Sequence, residues 1–238
     1  MRAIRGLVFD KDGTLFDFRA TWSVWTRRLL LELTAGEEAR AAGIGRAIGY
    51  DLATGDFAPD SYVIAHTPSE IADAMMPHLP GTDRAALVAR MSSLATETDL
   101  VAATDLPPLF ATLKGAGLSI GLATNDFVVP ARAHLEQAGV TRYFDFVSGF
   151  DSGYGAKPEP GPLLAFAASA GLDPAEVAMV GDSVHDLVAG RAAGMQTVGV
   201  LTGIAGPDEL APHADVVLPH IGHLPDWVAR AGAAAAAG

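Results

Sequence analysis

From residue 105 onward, short apolar runs alternate with helix-like segments that stop at glycines, and few architectures accommodate that order. Asp105–Ala116 has helical spacing and ends at Gly117, Leu118–Ala123 is an apolar strand, Val128–Ala138 is helical up to Gly139, and Phe144–Ser148 reads as a strand. The alternation continues with a helix at Pro160–Ala170, a strand at Val177–Val180, a helix at Ser183–Ala193 and strands at Thr197–Leu201 and Val216–Leu218. One earlier run, Ala3–Phe9, stops at Asp10 before a turn at Gly13 and reads as a buried strand. Strands that are apolar throughout need cover on both faces. The pattern therefore predicts an α/β fold, a doubly wound parallel sheet of Rossmann-like type with helices on either side.

Residues 17–95 have a different character. Trp22, Trp25, Leu29, Leu30 and Leu33 recur at helical spacing, Ser69–Met76 and Asp83–Leu94 look helical, and no strand is evident. This predicts a core domain made of residues 1–16 and 96–238, with a small all-helical domain, 17–95, inserted after the first strand. The closing Ala-Gly-rich tract reads as a frayed tail.

Composition narrows the function. Half of the 238 residues are hydrophobic and 18% are charged, which suits a globular protein and not a disordered one. With 28 acidic against 16 basic side chains, a formal charge of -12 argues against nucleic acid and anionic membranes as partners. No cysteine occurs, so disulfides, thiolate zinc sites and thiol nucleophiles are excluded. No apolar stretch approaches a membrane span or a signal-peptide core, and a cytoplasmic protein is expected.

In a parallel open sheet, the loops after the strands converge on one crevice. Here they deliver Asp10-Lys11-Asp12-Gly13-Thr14, Thr124-Asn125, Lys157-Pro158 and Gly181-Asp182-Ser183-Val184-His185-Asp186. Oxygen-only ligands suit a hard cation such as Mg²⁺. Four carboxylates (Asp10, Asp12, Asp182, Asp186) against the one ammonium of Lys157 leave a local charge of -3, which would repel a phosphate. A divalent cation and one raised pKa would remove that obstacle. Phosphoryl transfer fits these groups, and no nucleotide-binding or serine-hydrolase motif competes with it.

At these residues the chain resembles the haloacid dehalogenase-like hydrolase superfamily, whose four motifs are matched in order by LVFDKDGT, Thr124 in IGLATN, Lys157 in GAKPEP and GDSVHD. The resemblance implies Asp10 as nucleophile, Asp12 as general acid/base, and Thr124 and Lys157 as catalytic, phosphoryl-binding groups. It also implies Mg²⁺ held by Asp10, Asp182 and the Asp12 carbonyl, with Asp186 as ligand or support. Asn125 is expected to help at the substrate site or to cap a helix. Thr124 and Lys157 are 33 residues apart and Lys157 and Asp182 are 25 apart, each near the ~30 of a βαβ unit. The 114 residues from Asp10 to Thr124 leave room for the inserted domain, which resembles the family's cap.

Within the superfamily, Asp12 argues against dehalogenation, and the absence of lysine from 17–95 excludes a Schiff-base mechanism. The opening and closing segments are most similar to the phosphoglycolate phosphatase-like branch. That resemblance implies a Mg²⁺-dependent phosphatase that hydrolyses a small phosphate monoester through an aspartyl-phosphate. The expected partner is a small phosphorylated metabolite, and the expected state a monomer or homodimer. A carboxylate-bearing ester would need an arginine clamp, for which Arg19, Arg27, Arg28, Arg40, Arg46, Arg84 and Arg90 are available. The alternatives are a phosphosugar mutase, a sugar-phosphate or nucleotide phosphatase, or a non-catalytic regulatory protein on the same scaffold.

Overall fold

Leu7 and Phe9 of β1 (Gly6–Phe9) join one apolar cluster and Val8 joins another, and all three are fully buried. A strand whose alternate side chains both find apolar cover must lie inside a three-layer sandwich. The computed structural model describes residues 3–236 and shows this sandwich. The remaining strands are β2 (Tyr50–Asp51), β3 (Asp56–Phe57), β4 (Ser119–Ala123), β5 (Phe146–Ser148), β6 (Val177–Gly181), β7 (Gln196–Val200) and β8 (Val216–Leu218). Five of these join β1 in one sheet in the order β5-β4-β1-β6-β7-β8, every adjacent pair parallel.

The helices are α1 (Phe18–Leu33), α2 (Glu38–Ala47), α3 (Tyr62–Ala65), α4 (Pro68–Met75), α5 (Arg84–Thr96), α6 (Leu106–Gly115), α7 (Val128–Gln137), α8 (Gly161–Ala170), α9 (Val184–Ala192), α10 (Pro207–Leu210) and α11 (Leu224–Ala236). Phe110 of α6, Leu135 of α7 and Trp227 of α11 cover one sheet face, and Phe166 of α8 with Ala189 of α9 covers the other. The doubly wound α/β fold is thus observed, and the helices and strands of this part lie within a few residues of their expected bounds.

Residues 18–95 build a separate apolar cluster of their own, from Phe18 and Trp22 to Leu94 and Ala95. The chain leaves and re-enters the sheet layer side by side. Asp17 N–H donates to Val101 O at 2.8 Å and Ala103 N–H to Leu15 O at 2.9 Å, with Phe16 and Ala102 bridged antiparallel.

Two expectations need correction. The inserted segment is not all-helical, because β2 and β3 form a small antiparallel ladder pairing Tyr50 with Phe57 and Asp51 with Asp56. Two residues per strand are too few to show a period of two, so the sequence pattern hides them. The terminal Ala-Gly tract continues α11 as far as Ala236, anchored by the buried Trp227; residues 237–238 lie outside the described residues. Among the described residues, no helix is long and apolar enough to cross a membrane.

Candidate active site

Asp10 follows the central strand β1 directly, and its N–H donates to Val180 O of neighbouring β6 at 2.9 Å. Asp182 follows β6. The turn between Asp10 and Thr14 requires a glycine: Gly13 adopts φ +83°, and a Cβ there would overlap the Asp182 carboxylate. Thr14 Oγ1 donates to Asp182 Oδ1 at 3.2 Å, tying the two loops together.

Asp186 is oriented by local helix chemistry. Ser183 is the N-cap of α9, and its N–H and hydroxyl donate to Asp186 Oδ2 at 3.1 and 2.7 Å, while Asp186 N–H donates to Ser183 Oγ at 3.4 Å. The other oxygen, Oδ1, is left to accept from Lys157 Nζ at 2.6 Å. Lys157 also reaches Asp10 Oδ1 at 2.5 Å. Its backbone is held by Asn125, whose Nδ2 donates to Lys157 O and whose Oδ1 accepts from Lys157 N–H, both at 2.9 Å. Asn125 thus positions Lys157 and does not cap α7, whose N-cap is Phe127. Thr124 Oγ1 accepts from Asp126 N–H at 3.1 Å, which leaves its own proton available as a donor.

One oxygen each from Asp10, Asp182 and Asp186 lies within 4.8 Å of the others, and all three residues are buried. Burial, then the neighbouring carboxylates, pushes Asp10 up to about 7 against the opposing pull of Lys157. Burial and the charges of Asp186 and Asp10 raise Asp182 well above the ordinary range. Burial works against the Lys157 ammonium, yet Asp10 and Asp186 hold its pKa above the usual lysine value. Three carboxylates and one ammonium leave -2, the charge a single divalent cation would neutralise. The all-oxygen donor set fits a hard cation.

The carboxylate of Asp12 stands outside this cluster. It accepts from Lys11 Nζ, at 3.0 Å to Oδ1 and 2.8 Å to Oδ2. Lys11 is fully buried, and it also meets Asp126 Oδ2 at 3.2 Å and His134 Nδ1 at 3.0 Å, with the Trp22 ring centroid 5.2 Å away. Burial would lower the Lys11 pKa, but Asp12 and Asp126 raise it. Burial lowers His134 to about 4, with Lys11 acting in the same direction, so its imidazole is neutral at pH 7. His134 Nε2 makes a 2.7 Å hydrogen bond with Ala95 O of α5, so this network links the sheet layer to the inserted segment. Sequence reasoning missed Lys11, Asp126 and His134. The available signal was a lysine, one of three in the chain, between two motif aspartates.

A pocket opens above these groups, lined from below by Asp10, Asp12, Thr124, Asn125, Asp126 and Lys157, and from above by residues of the inserted segment including Trp22, Trp25, Ile64, His66 and Met91. Among the described residues, no arginine lines it. The expected clamp is not formed: Arg19, Arg28, Arg40, Arg84 and Arg90 pair with Asp56, Glu97, Glu37, Asp73 and Glu32 at the surface. Arg27 donates to Leu52 O, and Arg46 lines a different depression.

Fold and site together define a doubly wound α/β protein whose acidic residues gather at the carboxyl edge of its sheet. The family model described as haloacid dehalogenase-like hydrolase matches residues 4–194. A phosphoglycolate phosphatase from Yersinia pestis is 31% identical over 239 residues, covering 94% of this chain and 92% of its own. An N-acetylmuramic acid 6-phosphate phosphatase from Pseudomonas aeruginosa is 28% identical over 234 residues, covering 96% of each. Among solved structures, a predicted phosphoglycolate phosphatase from Haemophilus somnus superposes with a TM-score of 0.74 at 18% identity, over 95% of this chain and 99% of that one. The chain belongs to the haloacid dehalogenase-like hydrolases, in the branch of its phosphoglycolate phosphatase relatives.

Proposed function

We propose that Asp10, Asp12, Thr124, Lys157, Asp182 and Asp186 form the catalytic centre of a Mg²⁺-dependent phosphatase that works through an aspartyl-phosphate. The chain is a phosphoric monoester hydrolase of the phosphoglycolate phosphatase type. The supporting observation is the buried oxygen cluster of Asp10, Asp182 and Asp186, with Lys157 bridging Asp10 and Asp186.

An Asp10 carboxylate oxygen attacks phosphorus, the bond from phosphorus to the ester oxygen breaks, and Asp12 gives its proton to the departing alkoxide. Asp12 then takes a proton from water as the water oxygen attacks the phosphorus of the aspartyl-phosphate, which releases inorganic phosphate and restores Asp10. Lys157 and the Thr124 hydroxyl donate to the phosphoryl oxygens. Asp10, Asp182 and Asp186 would hold the cation, which supplies Lewis acidity and offsets their charge. Residues 17–95 act as a cap domain that roofs the pocket and excludes bulk water.

Phosphate release from a panel of phosphate monoesters, with Mg²⁺ and with EDTA, tests this reading. Turnover is expected only with the cation, and Asp10→Asn is expected to lower it by about 10³-fold or more. Undiminished turnover in either case would remove Asp10 or the cation from the mechanism.

A further inference from the structure

Above the phosphoryl site, the pocket wall contributed by residues 17–95 is apolar and aromatic. Trp22, Trp25, Val63, Ile64, Ile71 and Met91 line it, and the two indoles meet edge to face with centroids 5.2 Å apart. Trp22 is 6% exposed and Trp25 5% exposed, yet the Nε1–H of each is buried without a hydrogen-bond partner. Both N–H groups are closed off from water, so the indoles offer the pocket their ring surfaces. Among the described residues, the basic side chains on the pocket lining are Lys157, already held by Asp10 and Asp186, and the imidazoles of His66 and His185. His66 Nδ1 is likewise buried and unpartnered.

A carboxylate on the leaving group would be desolvated against this wall with no guanidinium or free ammonium to receive it, and Asp12, Asp126 and Asp186 would repel it. A flat apolar group would pack on the two indoles and displace water from them.

Resting on the phosphatase reading above, we propose that the preferred substrate is a phosphate monoester whose leaving alcohol is aromatic and bears no carboxylate. The apolar wall sets affinity for the ring.

Steady-state kinetics with benzyl phosphate, ethyl phosphate and phosphoglycolate, all esters of primary alcohols, test the proposal. With Mg²⁺ present, kcat/KM for benzyl phosphate is expected to exceed that for each of the other two at least tenfold. Phosphoglycolate equal to or better than benzyl phosphate would overturn the substrate class while leaving the phosphatase intact. No turnover of any of the three, nor of p-nitrophenyl phosphate, would overturn the underlying reading and this proposal with it. Trp25→Leu should lower the ratio of kcat/KM for benzyl phosphate to that for ethyl phosphate about fivefold or more, whereas Trp25→Phe, which keeps a ring, should retain more of that ratio than Trp25→Leu. An unchanged ratio in Trp25→Leu would also overturn the assignment.

Discussion

Asp10 and Asp12 are two residues apart, yet the structure gives them different company. Asp10 shares its surroundings with Asp182 and Asp186 and with a lysine from a loop 147 residues away in sequence. Asp12 turns to Lys11, its immediate neighbour, and through it to Asp126 and His134. In the first group burial, with three carboxylates crowded around the one ammonium of Lys157, raises Asp10 and Asp182. In the second the ammonium of Lys11 faces two carboxylates, Asp12 and Asp126, and burial raises Asp126. Two carboxylates on one turn can therefore take different roles, because each role follows from the charges around it and not from the residue type.

The sharpest way to break this contrast is to damage one side and read both. Asp182→Asn should raise the Mg²⁺ concentration needed for half-maximal turnover tenfold or more. It should leave the Lys11 network untouched, so phosphate release at saturating Mg²⁺ should recover in part. An unchanged Mg²⁺ requirement would separate Asp182 from the cation. Lys11→Met should do the reverse. It leaves Asp12 and Asp126 facing one another, and it should lower kcat by about 10²-fold with the Mg²⁺ requirement unchanged. A shifted Mg²⁺ requirement in Lys11→Met would merge the two sides into one.

The smallest effect concerns stability. The folded protein keeps His134 neutral down to about 4, while the unfolded chain protonates it near 6.5. Between those values the unfolded state binds the extra proton, so acidification from 6.5 toward 4 favours unfolding. Urea midpoints should fall over this range in wild type, and fall less in His134→Gln. Parallel curves for the two proteins would remove His134 from the acid sensitivity.

Much of the fold was legible because it rests on local, repeating physics. Apolar strands and glycine-stopped helices from residue 105 onward announce a parallel sheet, and Ser183 with Asp186 announces a helix start that also aims a carboxylate. The inserted segment was less legible. Its two-residue strands have no period to detect, and the apolar face of α2 is little more than Ala41 and Ile44. An arginine count could not say where guanidiniums go, and surface carboxylates engage most of them.

By itself the sequence determined the α/β class, the long insertion and the groups that the strand ends deliver, because strand order and hydrophobic period are properties of the chain in one dimension. Only the tertiary structure decided which carboxylate faces which lysine, that Lys11 lies fully buried beneath Trp22, and that the roof of the pocket is tryptophan and not arginine. Those outcomes depend on distances of a few ångströms between residues tens to hundreds of positions apart, where desolvation and pairing set the charge of each group.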